Sequence, residues 1–244
     1  MYIKYGNEEN LSNLMKKGEI YFRPAIEFRL LEEKNGEKGI GDIDDSGIAA
    51  KAINAELFDG KKKYLQFNNI DTSIIVQRSK KTPVFCFSQC ETFYITQKER
   101  NILRQQFPDH THALIIEKED EFLENVRYSF NNKAFIHRVY YQDLLCENYV
   151  EFLYSGQSLK KFYLPHASQK YYAKLSTFDN EGKLKRIITI DDSNFYKTMF
   201  RKTRVLRNQN EIRIVLPYEE IEKGKVLKIQ PFYARIFAID ELVK

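Results

Sequence analysis

The order in which two hydrophobic periodicities occur along the chain constrains its fold most strongly. Helix-like spacing of apolar residues is concentrated in the first half, as in EENLSNLMKKG and DEFLENVRYSF. Alternating, strand-like segments such as RIITI, EIRIVL and FYARIFAI dominate the second half. Strands that do not alternate regularly with helices do not suit a regularly wound parallel sheet. We therefore predict an α+β fold with mixed or antiparallel central sheets and with helices mainly in the N-terminal half.

Length and composition limit the class of protein. At 244 residues the chain is long enough to bury a core, and no linker divides it, so we expect one domain over residues 1–244. No apolar run approaches the ~18 residues of a membrane span, and MYIKYGNEEN does not resemble a signal peptide, so no membrane association is expected. Cys86, Cys90 and Cys146 match no close zinc spacing and are expected to be reduced thiols of a cytoplasmic protein.

Aromatic and basic residues suggest acidic partners without specifying one. The chain has 16 Tyr, 18 Phe and no Trp, with a net charge of +5. Basic clusters lie at Lys61–Lys63, Arg78–Lys81 and Arg201–Arg207, and tyrosines are interleaved with them, which suits single-stranded nucleic acid. The alternative is a solvated, lysine-rich surface. Lys202 and Arg204 could contact phosphate, but we expect both to belong to such a solvated basic face.

Polar side chains occupy the ends of several predicted strands. Arg23 ends EIYFR, Ser88 ends VFCFS, and Gln209 and Glu211 open the strand EIRIVL as Gln-x-Glu. Because side chains alternate along a strand, the amide and the carboxylate should face the same way. An arginine can bind a phosphate with two parallel hydrogen bonds, a serine can hold a ribose, and a carboxylate can stabilise a cation. Taken singly, each residue also fits an ordinary polar strand end.

Taken together and in this order, these residues resemble the NAD-dependent ADP-ribosyltransferases of the Arg–Ser–Glu class. In that family an arginine on the first core strand binds the dinucleotide. A serine, usually within Ser-Thr-Ser, opens the second core strand, and a late Gln/Glu-x-Glu supplies the catalytic glutamate. The resemblance assigns these positions to Arg23 in IYFR, Ser88 in FCFSQ, and Gln209 and Glu211 in NQNEIR. The full Ser-Thr-Ser motif is absent, since the chain reads FSQ.

The chain is also similar to a widespread, poorly characterised bacterial family. Its members have a G-x-(I/L)-(Y/W)-(F/V) strand near the N-terminus, an F-S strand in the middle and a late K…E-x-R strand. GEIYFRP, VFCFS and FRKTRVLRNQNEIRIVL reproduce this layout over most of the length. Some toxin and phage-defence proteins resembling this family are thought to use NAD. The resemblance implies an ADP-ribosyltransferase-like fold, NAD as substrate and a toxin or defence role, with a possible antitoxin protein as partner.

The resemblance implies a role for each site residue. Cleavage of the nicotinamide–ribose bond passes through an oxocarbenium-like state, as glycoside cleavage does. Glu211 would stabilise that charge and hold the ribose 2′-hydroxyl, while Arg213 on the same face keeps Glu211 ionised. Gln209 would position the acceptor, with nucleic acid favoured over protein. Asp42, in the glycine-rich loop GIGDIDDSG, is the expected loop contact to NAD.

Other hypotheses stay open at this point. The same residues would serve an NAD glycohydrolase, and a non-catalytic nucleic-acid-binding module needs only the basic clusters. A metal-dependent nuclease would use Asp42, Asp44 and Asp45, but their spacing lacks the Glu of an EF-hand loop, so we expect solvated turn residues. His110 and His112 in DHTHAL would share a strand face and can bind zinc. No third ligand is evident nearby, so no metal is expected.

Overall fold

The computed structural model describes residues 1–35, 45–59, 61–74, 77–142, 145–153, 172–191 and 194–244. Within these ranges the chain is α+β, with sheets paired mostly antiparallel and a few α-helices. This confirms the predicted class, and all the α-helices of the described part lie before Phe130. Asp42 and Asp44 lie outside the described residues. None of the described helices combines the length and apolarity needed to cross a lipid bilayer.

The secondary-structure elements are numbered in chain order. The α-helices are α1 (Glu8–Lys17), α2 (Ala25–Asn35), α3 (Gln97–Gln106) and α4 (Glu119–Ser129). The first strands are β1 (Tyr2–Gly6), β2 (Glu19–Pro24), β3 (Ile48–Asp59), β4 (Lys62–Ile74), β5 (Pro83–Gln89), β6 (His112–Ile116), β7 (Phe135–Arg138) and β8 (Tyr140–Gln142). The remaining strands are β9 (Leu145–Leu153), β10 (Tyr172–Phe178), β11 (Leu184–Asp191), β12 (Arg201–Thr203), β13 (Glu211–Val215), β14 (Lys225–Lys228) and β15 (Arg235–Ala238). Short 3-10 helices span Gln77–Lys81, Phe195–Phe200, Arg204–Gln209 and Ile239–Leu242.

The chain divides into two compact units. The first unit comprises Met1–Asp45, Arg78–Tyr141 and Lys202–Lys244, and the second comprises Ser46–Gln77 and Gln142–Arg201. The second unit contains a five-stranded sheet in the order β11-β10-β9-β3-β4, in which only the β3–β9 pairing is parallel. The predicted site residues that the structure describes all lie in the first unit.

The first unit is built on an eight-stranded sheet. Its main path runs β14-β2-β5-β1-β6-β15, while β13 pairs with β5 and β7 pairs with β13. Strand β13 covers one edge of β5 from Ser88 to Val84. The opposite edge is shared, since β1 pairs with the Ser88 end and β2 pairs with the Val84 end. Strands β1 and β2 therefore diverge and leave the middle of that edge between them.

One face of this sheet carries the main apolar core. Ile20 and Phe22 are fully buried on β2, as the alternation in EIYFR predicts. Helices α1 and α4 cover this face with apolar side chains that include Leu11, Leu14, Phe122 and Val126. Helix α1 is well delimited, because the Asn7 side chain accepts from the Asn10 amide and Gly18 adopts φ 65° at the C-terminus.

The opposite face of the sheet is divided between apolar and polar contacts. At the β1–β6–β15 side, Ile3, Ala113 and Ile115 pack against Ile95 and Leu242. Helix α3, whose Leu103 packs against this cluster, begins with a capping box between Thr96 and Glu99. At the β5–β13 side, the same face carries the polar residues described below.

Candidate functional site

The strand register brings two of the predicted site residues together. Glu211 on β13 pairs directly with Ser88 on β5 in an antiparallel ladder. Directly opposite residues share a sheet face, with Cβ atoms about 4.5–5.5 Å apart. The carboxyl and hydroxyl groups named by the Arg–Ser–Glu pattern are thus cross-strand neighbours, although 123 positions separate them in the sequence.

Arg23 lies on the same face, farther along the sheet. It pairs with Val84, which shares its side of β5 with Ser88 because side chains alternate. Four residues along β5 and two inter-strand spacings separate Arg23 from Glu211, or about 13 Å along the strands and about 10 Å across them. An arginine side chain and an extended dinucleotide can together bridge such a distance.

The Arg23 guanidinium is accessible to a ligand. Its side chain is 44% exposed, and its Nε lies 3.9 Å from the carboxylate of Glu27. An exposed ion pair at that separation contributes little energy. The guanidinium also lies 5.9 Å from the ring centroid of Tyr21, which is 48% exposed on the same strand. A positive charge and an exposed ring therefore lie side by side on β2.

Glu211, in contrast, is buried, and each of its carboxylate oxygens accepts a hydrogen bond from a cation. One carboxylate oxygen accepts from Arg213 Nε at 2.5 Å and the other from Lys202 Nζ at 2.6 Å. The Glu211 amide donates to Tyr141 Oη at 2.9 Å, and its carbonyl accepts from the Val139 amide. These contacts fix both the backbone and the side chain of Glu211, so the carboxylate has a single well-defined orientation.

Arg213 extends these contacts to a second carboxylate. Its two terminal nitrogens donate to Asp45, Nη1 to Oδ1 at 2.7 Å and Nη2 to Oδ2 at 2.5 Å. This paired fork is the strongest geometry for an arginine–carboxylate contact. Helix α2 packs over it, with Arg29 Nη1 donating to the Asp45 carbonyl and the Phe28 ring 5.8 Å from the Arg213 guanidinium. We call Asp45, Lys202, Glu211 and Arg213 the ion cluster.

The ion cluster keeps Glu211 ionised. Burial alone raises the pKa of Glu211, but the charges and hydrogen bonds of Arg213 and Lys202 outweigh it and hold that pKa far below its usual value. Burial lowers the pKa of Lys202, yet Glu211 and Asp45 raise it above the ordinary lysine value. Glu211 is therefore a fixed negative charge near neutral pH, and it cannot exchange a proton there. Each carboxylate oxygen still has a second lone pair with which to accept a ligand hydroxyl.

Two sequence-based expectations in this region were wrong. Gln209 does not lie on a strand: it ends a 3-10 helix, and Asn210, at φ 41°, separates it from β13. It nevertheless reaches the same place, since Lys202 Nζ donates to Gln209 Oε1 at 3.0 Å as well as to Glu211. Lys202 is 8% exposed and does not belong to a solvated face, because an amide and two carboxylates replace its water contacts. The expectation that Arg213 keeps Glu211 ionised is confirmed.

Lys4 occupies the gap between β1 and β2. Its Nζ donates to the carbonyl of Cys86 at 2.7 Å, at the middle of the edge of β5 that neither strand covers. The ammonium also lies 4.8 Å from the ring centroid of Phe85. Burial lowers the pKa of Lys4. This arrangement could not be predicted, because nothing in YIKYG distinguishes this lysine from a solvated one.

The other candidate ligands and nucleophiles have structural roles in the described chain. Both Asp45 oxygens accept from Arg213, which leaves the acidic-loop hypothesis without that residue as a solvated ligand. His110 precedes β6 and stacks on the Phe107 ring, so it does not share a strand face with His112 as predicted. Among the residues described, no group of three or more His, Cys, Asp or Glu side chains could hold a metal ion. Burial raises the pKa of Cys86 to about 12, which makes it a poor nucleophile.

Comparison of the chain with protein-family models, with curated proteins and with solved structures finds no match. A functional proposal for it therefore depends on the arrangement of side chains in the first unit and on the sequence motifs.

Proposed function

We propose that this protein is an NAD-dependent ADP-ribosyltransferase with an ADP-ribosyltransferase-like fold, acting in the cytoplasm as a bacterial toxin or anti-phage defence effector. It transfers ADP-ribose to a macromolecule, with nucleic acid favoured over protein. The observation that carries the proposal is the register of the first sheet. Ser88 and Glu211 are direct cross-strand partners, and Arg23 lies on the same face.

The state of Glu211 suits this chemistry. When the nicotinamide–ribose bond breaks, nicotinamide leaves with the bonding electrons and positive charge develops at the ribose C1′ and ring oxygen. A carboxylate held ionised in a buried site stabilises that charge without reorganising. Lys202, Arg213 and Tyr141 orient Glu211 and do not touch substrate in this scheme, so they are positioning residues.

The same property favours a particular kind of acceptor. Glu211 has too low a pKa to remove a proton from the incoming nucleophile. Acceptors that attack through a lone pair and lose their proton afterwards are therefore preferred. Ring and amino nitrogens of nucleobases attack in this way, whereas a protein guanidinium must first lose a proton. Water can also attack, which would give an NAD glycohydrolase with the same residues.

Binding of NAD would use the exposed groups of β2. Arg23 can fork onto a phosphate of the dinucleotide, and the neighbouring Tyr21 ring can stack on a base. Ser88 would hydrogen-bond the ribose next to Glu211. Gln209, tied to Lys202, lies beside Glu211 where an acceptor would approach.

Substitution of Arg23 tests the proposed function more sharply than substitution of the buried Glu211, because Arg23 is exposed and its replacement should not disturb folding. We expect the wild type to release nicotinamide from labelled NAD in the presence of RNA, DNA or protein. Loss of one charge-assisted phosphate contact, worth about 1.5–3 kcal/mol, predicts a KM for NAD raised about 10–150-fold in Arg23→Gln. Arg127→Gln, an exposed arginine on α4, is the matched control and should leave KM unchanged.

The products distinguish the transferase from its alternatives. Label on RNA or DNA supports the proposal as stated, label on protein changes the acceptor, and free ADP-ribose identifies a glycohydrolase. Ser88→Ala and Glu211→Gln should abolish release, provided that circular dichroism shows them folded. Absence of nicotinamide release from the wild type with all acceptors, or full turnover in folded Glu211→Gln, would refute the enzyme. Tight salt-dependent nucleic-acid binding that survives Glu211→Gln would then indicate a binding module.

A further inference from the structure

The gap between β1 and β2 lies beside a lysine and a histidine, Lys4 and His110, that the scheme above does not use. Both strands pair with one edge of β5, β1 through Ile3 and β2 through Arg23. Between these two points the Cys86 carbonyl accepts from the Lys4 ammonium instead of from a strand amide. A single hydrogen bond to a neutral carbonyl uses one of the three ammonium protons and leaves its charge uncompensated by hydrogen bonding.

His110 adds a second polar group near this gap. The Thr111 amide donates to the Gly6 carbonyl, which places His110 at the end of β1 that diverges from β5. The His110 ring stacks on Phe107 at 4.8 Å between centroids and 5° between planes. Its Nδ1 is buried and has no hydrogen-bond partner within the described chain. A buried polar atom of this kind is uncommon and calls for a physical explanation.

The charges around His110 are predominantly positive. Burial, together with the charges of Lys4 and Arg23, lowers the pKa of His110 to about 4, while the charge of Asp109 opposes them. His110 is therefore neutral at pH 7 and can donate through Nδ1 if the ring proton is on that nitrogen. A neutral donor beside two cations is suited to an anionic oxygen, because the anion would satisfy Nδ1 and offset both charges.

We propose that the gap between β1 and β2 is a binding site for the pyrophosphate of a small nucleotide, formed by Lys4 of β1, Arg23 of β2 and His110. Lys4 and Arg23 lie on the two strands that border the gap, and His110 lies at the end of β1 that diverges from β5. A pyrophosphate fits better than a nucleic-acid backbone, because Lys4 is partly buried and His110 Nδ1 is buried, so both suit a compact, bent group better than a continuous strand. The identity of the whole ligand as NAD rests on the proposed function, whereas the anion site itself does not.

Histidine NMR tests the site without reference to activity. The His110 signal is identified among the four histidine signals by its absence in a His110→Gln variant, and it is followed over pH with and without inorganic pyrophosphate or ADP-ribose. We expect the pKa of His110 to rise by at least about one unit on binding, which corresponds to about tenfold tighter binding to the protonated ring. No change of the His110 pKa at saturating pyrophosphate and ADP-ribose would overturn the proposal.

Substitutions separate this site from the proposed enzyme. We expect Lys4→Met and Arg23→Gln each to weaken ADP-ribose binding about tenfold or more, while Lys118→Met, at an exposed lysine, leaves it unchanged. Arg23→Gln keeps the test valid if Lys4→Met does not fold. Anion binding without nicotinamide release would support the anion site and refute the transferase. The pyrophosphate site would be refuted if Lys4→Met released nicotinamide with an unaltered KM for NAD, or if the His110 signal responded to single-stranded RNA alone.

Discussion

Removal of a single charge from the ion cluster should lower the free energy of unfolding more than its share of a double substitution that removes one positive and one negative charge together. Lys202 and Glu211 are each 7% exposed at the side chain and joined at 2.6 Å. With Asp45 and Arg213 they form a set of two carboxylates and two cations. Glu211→Gln or Lys202→Met alone leaves one buried charge without compensation. Each is expected to lower the free energy of unfolding by about 3–5 kcal/mol, or the melting temperature by roughly 6–20 °C.

The double variant Glu211→Gln/Lys202→Met restores the balance, because Asp45 and Arg213 remain as an intact pair. Its loss should therefore fall short of the sum of the single losses by about 2–3 kcal/mol. Urea unfolding at pH 7, followed by far-ultraviolet circular dichroism and tyrosine fluorescence in this Trp-free chain, measures the difference.

An exposed ion pair provides the matched control for this cycle. Lys228 and Glu19 link β14 to β2 at 2.9 Å, with the lysine side chain 65% exposed. Water screens this pair, so the cycle Glu19→Gln/Lys228→Met should show a coupling of at most about 1 kcal/mol, below that of the buried pair. Equal coupling in the two cycles, or additive losses for Glu211 and Lys202, would show that the buried charges do not act as one unit and would refute the reasoning.

Two further predictions concern stability. The stabilisation from ionised Glu211 is complete above the ordinary carboxyl pKa of about 4.3 and is lost as the pH falls toward the much lower folded-state pKa; urea midpoints of the wild type should therefore drop more steeply below pH 5 than those of Glu211→Gln, and parallel curves would contradict this. Gly18→Ala should cost at least about 3 kcal/mol in thermal unfolding, because its Cβ would lie 1.9 Å from the Ile229 carbonyl oxygen in addition to the left-handed strain. Gly182→Ala, with φ 76° and open space around it, is the matched variant and should cost about 1–2 kcal/mol; similar losses at both glycines would argue against the clash.

Local elements followed from the sequence. The helical stripe of EENLSNLMKKG and its glycine stop predicted α1, and Gly18 does adopt the left-handed conformation there. The alternation in EIYFR predicted inward Ile20 and Phe22, which are both fully buried. In EIRIVL the predicted inward residues Ile212 and Ile214 are buried as well. Periodicity and capping depend on residues that are close in the sequence, so both can be recognised without knowledge of the tertiary structure.

The second face of β13 shows where local patterns stop being sufficient. Glu211, Arg213 and Val215 alternate with the apolar residues and would ordinarily face water, yet all of β13 is buried. Helix α2 and Asp45 cover that face in the tertiary structure. The prediction that Gln209 lies on the strand was wrong for a related reason. Asn210, in a left-handed conformation, interrupts the alternation on which that prediction depended.

The class of fold, the positions of α1, β2, β5 and β13, and the order Arg23, Ser88, Glu211 were predictable from the amino-acid sequence. Three contacts became visible only in the folded chain: Ser88 lies opposite Glu211, Arg213 binds Asp45 from 168 positions away, and Lys4 enters the gap beside β5. These contacts escape local patterns because a strand's alternation is set by its own backbone, whereas its partner and register are set by burial summed over the whole sheet. Charged residues that are far apart in the sequence can therefore become neighbours although no local sequence pattern indicates it.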